Sequence, residues 1–247
     1  MSAQEDTFIS HLVELRDRLL RAVVAIAVAF VCLMPWAGEI YDILAHPMMQ
    51  ALPEGTRMIA TGVVTPFFVP MKVTLLVAFV VALPFVLYQA WCFIAPGLYA
   101  HEKRLGLPLV IGSTILFLAG MAFCYFFVFG TVFKFIAQFA PKSITPAPDI
   151  EQYLAFVMSM FLAFGITFEV PVFVIMLVKL GVVDVPKLKE ARPYVIVGAF
   201  IIAAVVTPPD VVSQLMLAIP MCLLYELGIF LARFVTKTRA NAVAEES

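Results

Sequence analysis

Long uncharged apolar runs separated by short polar segments dominate the chain. A bilayer core of ~30 Å requires ~20 helical residues, and runs of that order predict six spans, at residues 19–38, 73–95, 105–133, 154–178, 194–206 and 211–232. The fifth covers only ~20 Å at 1.5 Å per residue. It is joined to the sixth by Thr207-Pro208-Pro209-Asp210, a turn that cannot continue a helix. Helices five and six are therefore expected to be a short pair, with the bilayer thinned around them or the far interface not reached. Ahead of the first span, Phe8, Ile9, Leu12, Leu15 and Leu19 recur every three to four residues and align one apolar stripe. Residues 1–18 thus read as an amphipathic segment on the membrane interface, with Asp6 and Thr7 as candidate N-caps. Residues 233–247 form a tail, and the whole of 1–247 reads as one integral membrane domain, all-α and polytopic.

Composition excludes a water-soluble globule. The chain is 63% hydrophobic and 13% charged, with a mean hydropathy of +1.03, against about half and a quarter in soluble domains. Net charge is −1 and the 16 basic residues are scattered, so there is no basic face for nucleic acid. Their distribution sets the orientation. Twelve flank one side of the predicted spans, including Arg16, Arg18, Lys103, Arg104, Arg192 and Arg233, and four (Arg57, Lys72, Lys134 and Lys142) flank the other. Basic residues are retained in the cytoplasm, so both termini are expected there. The opposite loops, 39–70 and 140–153, are longer, rich in Pro, Gly and Thr, and carry an acidic excess, which predicts an outer cap of turns.

Chemistry is sparse. Cys32, Cys92, Cys124 and Cys222 lie in apolar stretches without a CxxC pair, so they read as small core residues rather than zinc ligands or disulfides. The first apolar run follows a long charged segment and lacks a small-residue cleavage site, so it is expected to be a retained helix. HExxH, GxSxG and phosphate-cradling Gly-rich motifs are absent, and His11, His46 and His101 are isolated. No metal, cofactor or catalytic centre is expected. What remains are polar groups where lipid makes them costly: Glu169, Glu226, Gln89 and Gln214. A carboxylate at mid-helix costs ~2.5–3.5 kcal/mol on insertion scales. Glu169 also stands two residues before Pro171, where a kink is predicted. Glu226 is within two turns of Arg233, near the cytoplasmic headgroups. By spacing alone, Glu14 beside Arg18 and Glu102 beside Lys103 and Arg104 are ordinary interfacial pairs. An ion-coupled small-molecule transporter with Glu169 as proton carrier is the alternative reading these residues leave open.

Several motifs change that picture. His11-Leu12-Val13-Glu14-Leu15-Arg16-Asp17-Arg18, the run from Phe93 through Pro96-Gly97-Leu98-Tyr99 to His101-Glu102-Lys103-Arg104, Phe164-Gly165-Ile166-Thr167-Phe168-Glu169-Val170-Pro171, and Arg192-Pro193-Tyr194 with Thr207-Pro208-Pro209-Asp210 occur in this order. Together they resemble the TatC family, the multispanning receptor subunit of the twin-arginine protein translocase. The resemblance implies a concave, glove-like bundle in the bacterial inner membrane. It also implies binding of Arg-Arg signal peptides of folded precursors, higher-order assembly with the single-span partners TatB and TatA, and export driven by the proton-motive force. Carried over residue by residue, it assigns Glu14 and Glu102, with Leu12, Arg16, Arg18 and Phe93, to signal-peptide binding. Glu169 becomes an intramembrane polar contact for partners or signal, and Pro47 and Asp210 become structural residues of the outer cap. One departure from some relatives is Ala100, where they carry a basic residue.

Overall fold

The computed structural model describes the backbone of residues 2–51, 57–94, 103–139, 147–207 and 210–245, and side chains within 11–50, 57–94, 107–136, 138, 147–207 and 210–234. Among these, all regular structure is helical: α1 (Ser2–Leu33), a 3₁₀ turn (Met34–Trp36), α2 (Ala37–Ala51), α3 (Thr65–Ile94), α4 (Lys103–Phe123), a π-helical turn (Cys124–Val128), α5 (Phe129–Phe139), α6 (Ile150–Phe168), α7 (Val170–Lys179), α8 (Val185–Glu190), α9 (Arg192–Val206) and α10 (Val211–Glu245). Five stretches are long and apolar enough to cross a membrane: His11–Gln50, Thr65–Ile94, Leu107–Ile136, Ile150–Lys179 and Val211–Phe234. The fifth predicted span is the shorter Arg192–Val206, of 15 residues.

Several local expectations are corrected. The amphipathic N-terminus does not turn before the first span; α1 is one helix from Ser2, so Asp6 and Thr7 lie inside it rather than at its cap. No Gly or Pro interrupts residues 2–33, and a helix without a breaker continues by adding one hydrogen bond per residue. The first break is the 3₁₀ turn that contains Pro35. The first outer loop is less a loop than predicted, because α2 occupies its first part and α3 begins at Thr65. The sixth helix is not short. Its apolar part spans 24 residues, ~36 Å of helix, and the helix runs on to Glu245. The fourth span breaks where Pro171 predicts it: Glu169 ends α6 and precedes α7, its N–H bonded to Ile166 O at 3.0 Å in a tightened turn.

The chain forms two compact units. The first comprises Met1–Ala45 and Gly62–Thr114. In it α1 packs along α3, over a core that includes Ala22, Val69, Val73, Ala78, Leu83 and Trp91. The Trp91 indole N–H donates to Ser113 Oγ at 2.9 Å. The second comprises His46–Thr61 and Ile115–Ser247. Its core holds Val128, Phe129, Val132, Val157, Met160, Phe164, Leu217 and Ile229. Phe129 sits among the rings of Phe133, Phe156 and Phe161 at 5.2–5.9 Å, separations at which aromatic pairs attract. Small residues bring helices close. A Cβ on Gly120 would stand 2.5 Å from the Phe164 carbonyl oxygen, and one on Gly228 would stand 2.9 Å from Val174 Cβ and 3.0 Å from Pro171 Cα. Such backbone contact is how helices associate in lipid, where burying apolar surface gives little drive.

Candidate functional site

The densest polar grouping in the first unit lies where α1 meets the end of α3. Glu14 and Arg18 stand one turn apart on α1, with the carboxylate N-terminal to the guanidinium, the favourable order for such a pair. Arg18 grips a single oxygen of Glu14: Nε donates to Oε1 at 2.9 Å and Nη2 to the same Oε1 at 2.5 Å. Its Nη1 reaches across to Gln89 Oε1 on α3 at 3.4 Å. Gln89 is buried at 5% exposure, whereas the Glu14 side chain is 39% and Arg18 22% exposed. Part-exposed pairs of this kind contribute ~0.3–0.5 kcal/mol. The pair therefore orients Glu14 without locking it. One turn earlier the His11 ring stacks on Phe93, centroids 4.3 Å apart and planes 16° from parallel.

The arrangement thus joins Glu14, Arg18 and Phe93, three of the expected receptor residues, and adds Gln89 and His11. Leu12 stands exposed at 48% and, two residues from Glu14 on the same helix, lies on a different face of α1. Arg16 turns away from Glu14 and holds Asp17 at 2.8 Å, an exposed pair. Glu102 lies outside the described residues. Chemically, this is a partly shielded carboxylate with one oxygen engaged by Arg18, one turn from the His11–Phe93 stack. Such a carboxylate can accept directional hydrogen bonds from a cationic donor. No cluster of three or more metal-ligating side chains exists among the described residues.

The other expected residues lie in the second unit. Glu169 is buried at 4% exposure at the α6–α7 break, so the kink and the intramembrane carboxylate coincide. Asp210 caps α10, its Oδ1 accepting from Ser213 N at 2.7 Å, and Pro47 sits half-buried inside α2. Glu226 pairs with Arg192 at 2.6 Å, because α9 and α10 run side by side. Asp149 ties residues 57–61 to the start of α6. The Thr61 hydroxyl and backbone N–H donate to Oδ2 at 2.7 and 3.1 Å, and Oδ1 caps α6 through Glu151 N and Gln152 N. The Thr61 hydroxyl, with the backbone donors, holds the Asp149 carboxyl below its usual range. Ile59 pairs there through Ile59 N to Pro148 O at 3.0 Å and Ile150 N to Ile59 O at 2.9 Å.

The model of the family described as Sec-independent protein translocase protein (TatC) matches residues 10–220. The chain belongs to the TatC family. It is 52% identical over 231 residues to the TatC of Haemophilus influenzae, covering 94% of this chain and 90% of that protein. It is 49% identical over 232 residues to that of Escherichia coli, covering 93% and 90%. The TatC of Halothiobacillus neapolitanus is 52% identical over 238 residues, 96% of this chain but 65% of that longer protein. A crystal structure of a twin-arginine translocase receptor TatC superposes with a TM-score of 0.80 at 40% identity, covering 92% of this chain and 99% of that one. The fold class expected from the sequence is therefore that of the family: an all-helical, multi-pass membrane protein of a bacterial Tat translocase. It is a component of protein transport, as the motifs implied.

Sequence reasoning left Gln89 without a role, although its signal was present: an amide inside an apolar helix must find a partner. The Thr61–Asp149 tie and the Arg192–Glu226 pair span 88 and 34 residues, and no local spacing reveals them.

Proposed function

We propose that this chain is the receptor core of the translocase, taking the Arg-Arg motif of signal peptides at Glu14 and Glu102. Arg18 and Phe93 border Glu14, Leu12 and Arg16 contribute from the neighbouring face of α1, and the chain has no catalytic activity of its own. In this reading the protein sits in the cytoplasmic membrane with both termini inside and assembles with TatB and TatA. The proton-motive force drives transport. The observation that carries the reading is the Glu14 carboxylate, exposed enough to be reached, with only one oxygen engaged by Arg18. A guanidinium bonds a carboxylate through fixed, directional N–H donors, and an ammonium does not. Two carboxylates from separate segments would select for a pair of arginines where one would not. Glu169 contributes a buried polar contact to partner helices or the inserted signal.

Site-specific crosslinking of an Arg-Arg signal to the membrane-inserted chain tests this. Glu14→Ala and Glu102→Ala are each expected to lose the crosslink while inserting normally, and a wild-type yield from either variant overturns the assignment. Glu169→Ala is expected to give a milder defect confined to partner crosslinks. Undiminished TatA and TatB crosslinks together with normal export refute that role.

A further inference from the structure

We propose that Gln89 is a positioning residue that sets the arginine specificity of the Glu14 carboxylate by anchoring Arg18; the inference rests on Glu14 being the signal-peptide site proposed above. Three observations lead to it. Gln89 is one of few buried polar side chains on α3. Its amide oxygen accepts from Arg18 Nη1 at 3.4 Å, across 71 residues of sequence. A guanidinium only donates, so the amide must present its oxygen to it. Arg18 in turn engages Glu14 through Oε1 alone, and Oε2 takes no hydrogen bond among the described residues.

The consequence is electrostatic. With Arg18 held beside it, Glu14 is a locally neutralised carboxylate: its pull on a generic cation is offset by the resident guanidinium, while Oε2 still accepts a directional bond. A lysine ammonium is a strongly hydrated point charge whose binding depends on net attraction. An incoming guanidinium recovers affinity through directional N–H donation to the open oxygen. A resident arginine fixed in this position therefore weakens lysine more than arginine. Gln89 maintains that bias because, without its amide oxygen, Arg18 keeps only the i,i+4 contact with Glu14 and the neighbouring Cys92 thiol on α3, a weak hydrogen-bond partner. His11 and Phe93 flank the same end of the α1–α3 contact, so the anchor also fixes Glu14 relative to that aromatic border.

The test is the ratio of affinities for an Arg-Arg and a Lys-Lys signal peptide, measured on the purified full-length chain in lipid nanodiscs. Gln89→Glu places a competing carboxylate against Arg18 and releases Glu14, so the ratio is expected to fall about two- to fivefold, with Lys-Lys binding strengthened. Gln89→Leu removes the anchor without adding charge, and the ratio is expected to fall in the same direction by less. In an Arg18→Gln background the Gln89→Leu effect is expected to vanish, which a purely structural role of Gln89 would not produce. An unchanged ratio in both Gln89 variants, or an undiminished effect without Arg18, overturns the inference. Should Gln89→Glu fail to insert, Gln89→Leu reads the same ratio and decides alone. A wild-type chain with no preference for Arg-Arg would instead refute the receptor reading itself.

Discussion

Gly120→Ala is a stringent probe of the second unit, because the obstacle is backbone. The new Cβ would stand 2.5 Å from the Phe164 carbonyl oxygen, 3.0 Å from its carbonyl carbon and 2.9 Å from Phe168 Cγ. Ordinary contact begins near 3.4 Å, so α4 and α6 must part locally by ~0.9 Å, since the carbonyl cannot rotate away without breaking its helix. Phe164 is fully buried, and a gap of 0.5–1 Å forfeits a quarter to a half of each dispersion contact it lines. Overpacking of this kind costs ~1–3 kcal/mol, and alanine's better helix propensity returns at most ~1 kcal/mol. The expected net loss is ~0–2 kcal/mol against wild type and ~1–3 kcal/mol against the same change at a helix glycine with open space around it. Gly130→Ala is the control, because nothing lies within 4 Å of its Cβ position, and there the propensity gain should stand alone. Reversible unfolding in mixed detergent micelles, followed by circular dichroism, gives both midpoints on one scale. If Gly120→Ala unfolds at or above the Gly130→Ala midpoint, the close approach of α4 and α6 is not what holds that interface.

Three further outcomes follow from the same contacts. Ser113→Ala removes the acceptor of the buried Trp91 indole N–H and should destabilise the first unit by ~1–3 kcal/mol; Trp91→Phe in the same chain should recover part of the loss, and an unaltered midpoint in Ser113→Ala would exclude a contribution from this bond. Because folding lowers the Asp149 pKa, its stabilising effect is fully present above the unfolded value near ~3.9. The effect is lost as pH falls through the lowered folded value, so the wild-type midpoint should drop more than that of Asp149→Asn between pH 5 and pH 2. Parallel pH curves for the two would refute the linkage. The Arg192–Glu226 pair is 42% and 47% exposed, so a double-mutant cycle should return less than ~1 kcal/mol of coupling, shrinking with salt; a larger, salt-insensitive value would mean the pair is shielded.

What the sequence made legible was what lipid enforces. Backbone polar groups in a bilayer must bond internally, so the long apolar runs had to be helices, and Pro171 marked the one break inside the fourth span. The continuity of α1 was missed for a physical reason: charges at Glu14, Arg16, Asp17 and Arg18 read as an interfacial surface, yet nothing in the chain interrupts the helix there. The π turn at Cys124–Val128 contains neither Gly nor Pro, and the ~100° shift of face that a one-residue insertion brings cannot be seen where every face is apolar. Glu226 was placed only near the cytoplasmic headgroups, because sequence spacing sees only its own helix, whereas its partner Arg192 arrives from α9. At the candidate site, Glu14 was recognisable by its motif. The geometry that gives it a direction, from Arg18 to Gln89, depends on how α1 and α3 pack.

The tie between Thr61 and Asp149 carries a schedule. Two stretches long and apolar enough to cross a membrane, Thr65–Ile94 and Leu107–Ile136, separate its ends, and an even number of crossings returns a chain to the side it left. A bond between the two loops is possible only when both crossings have been made, so the tie serves as a check on threading. It also waits. With 88 residues between donor and acceptor and synthesis at roughly 5–20 residues per second, Thr61 is made about 4–18 s before Asp149 exists. Through that interval the segment around Ile59 has its hydrogen-bonding edge open, and the insertion machinery, or water, must occupy it until α6 begins.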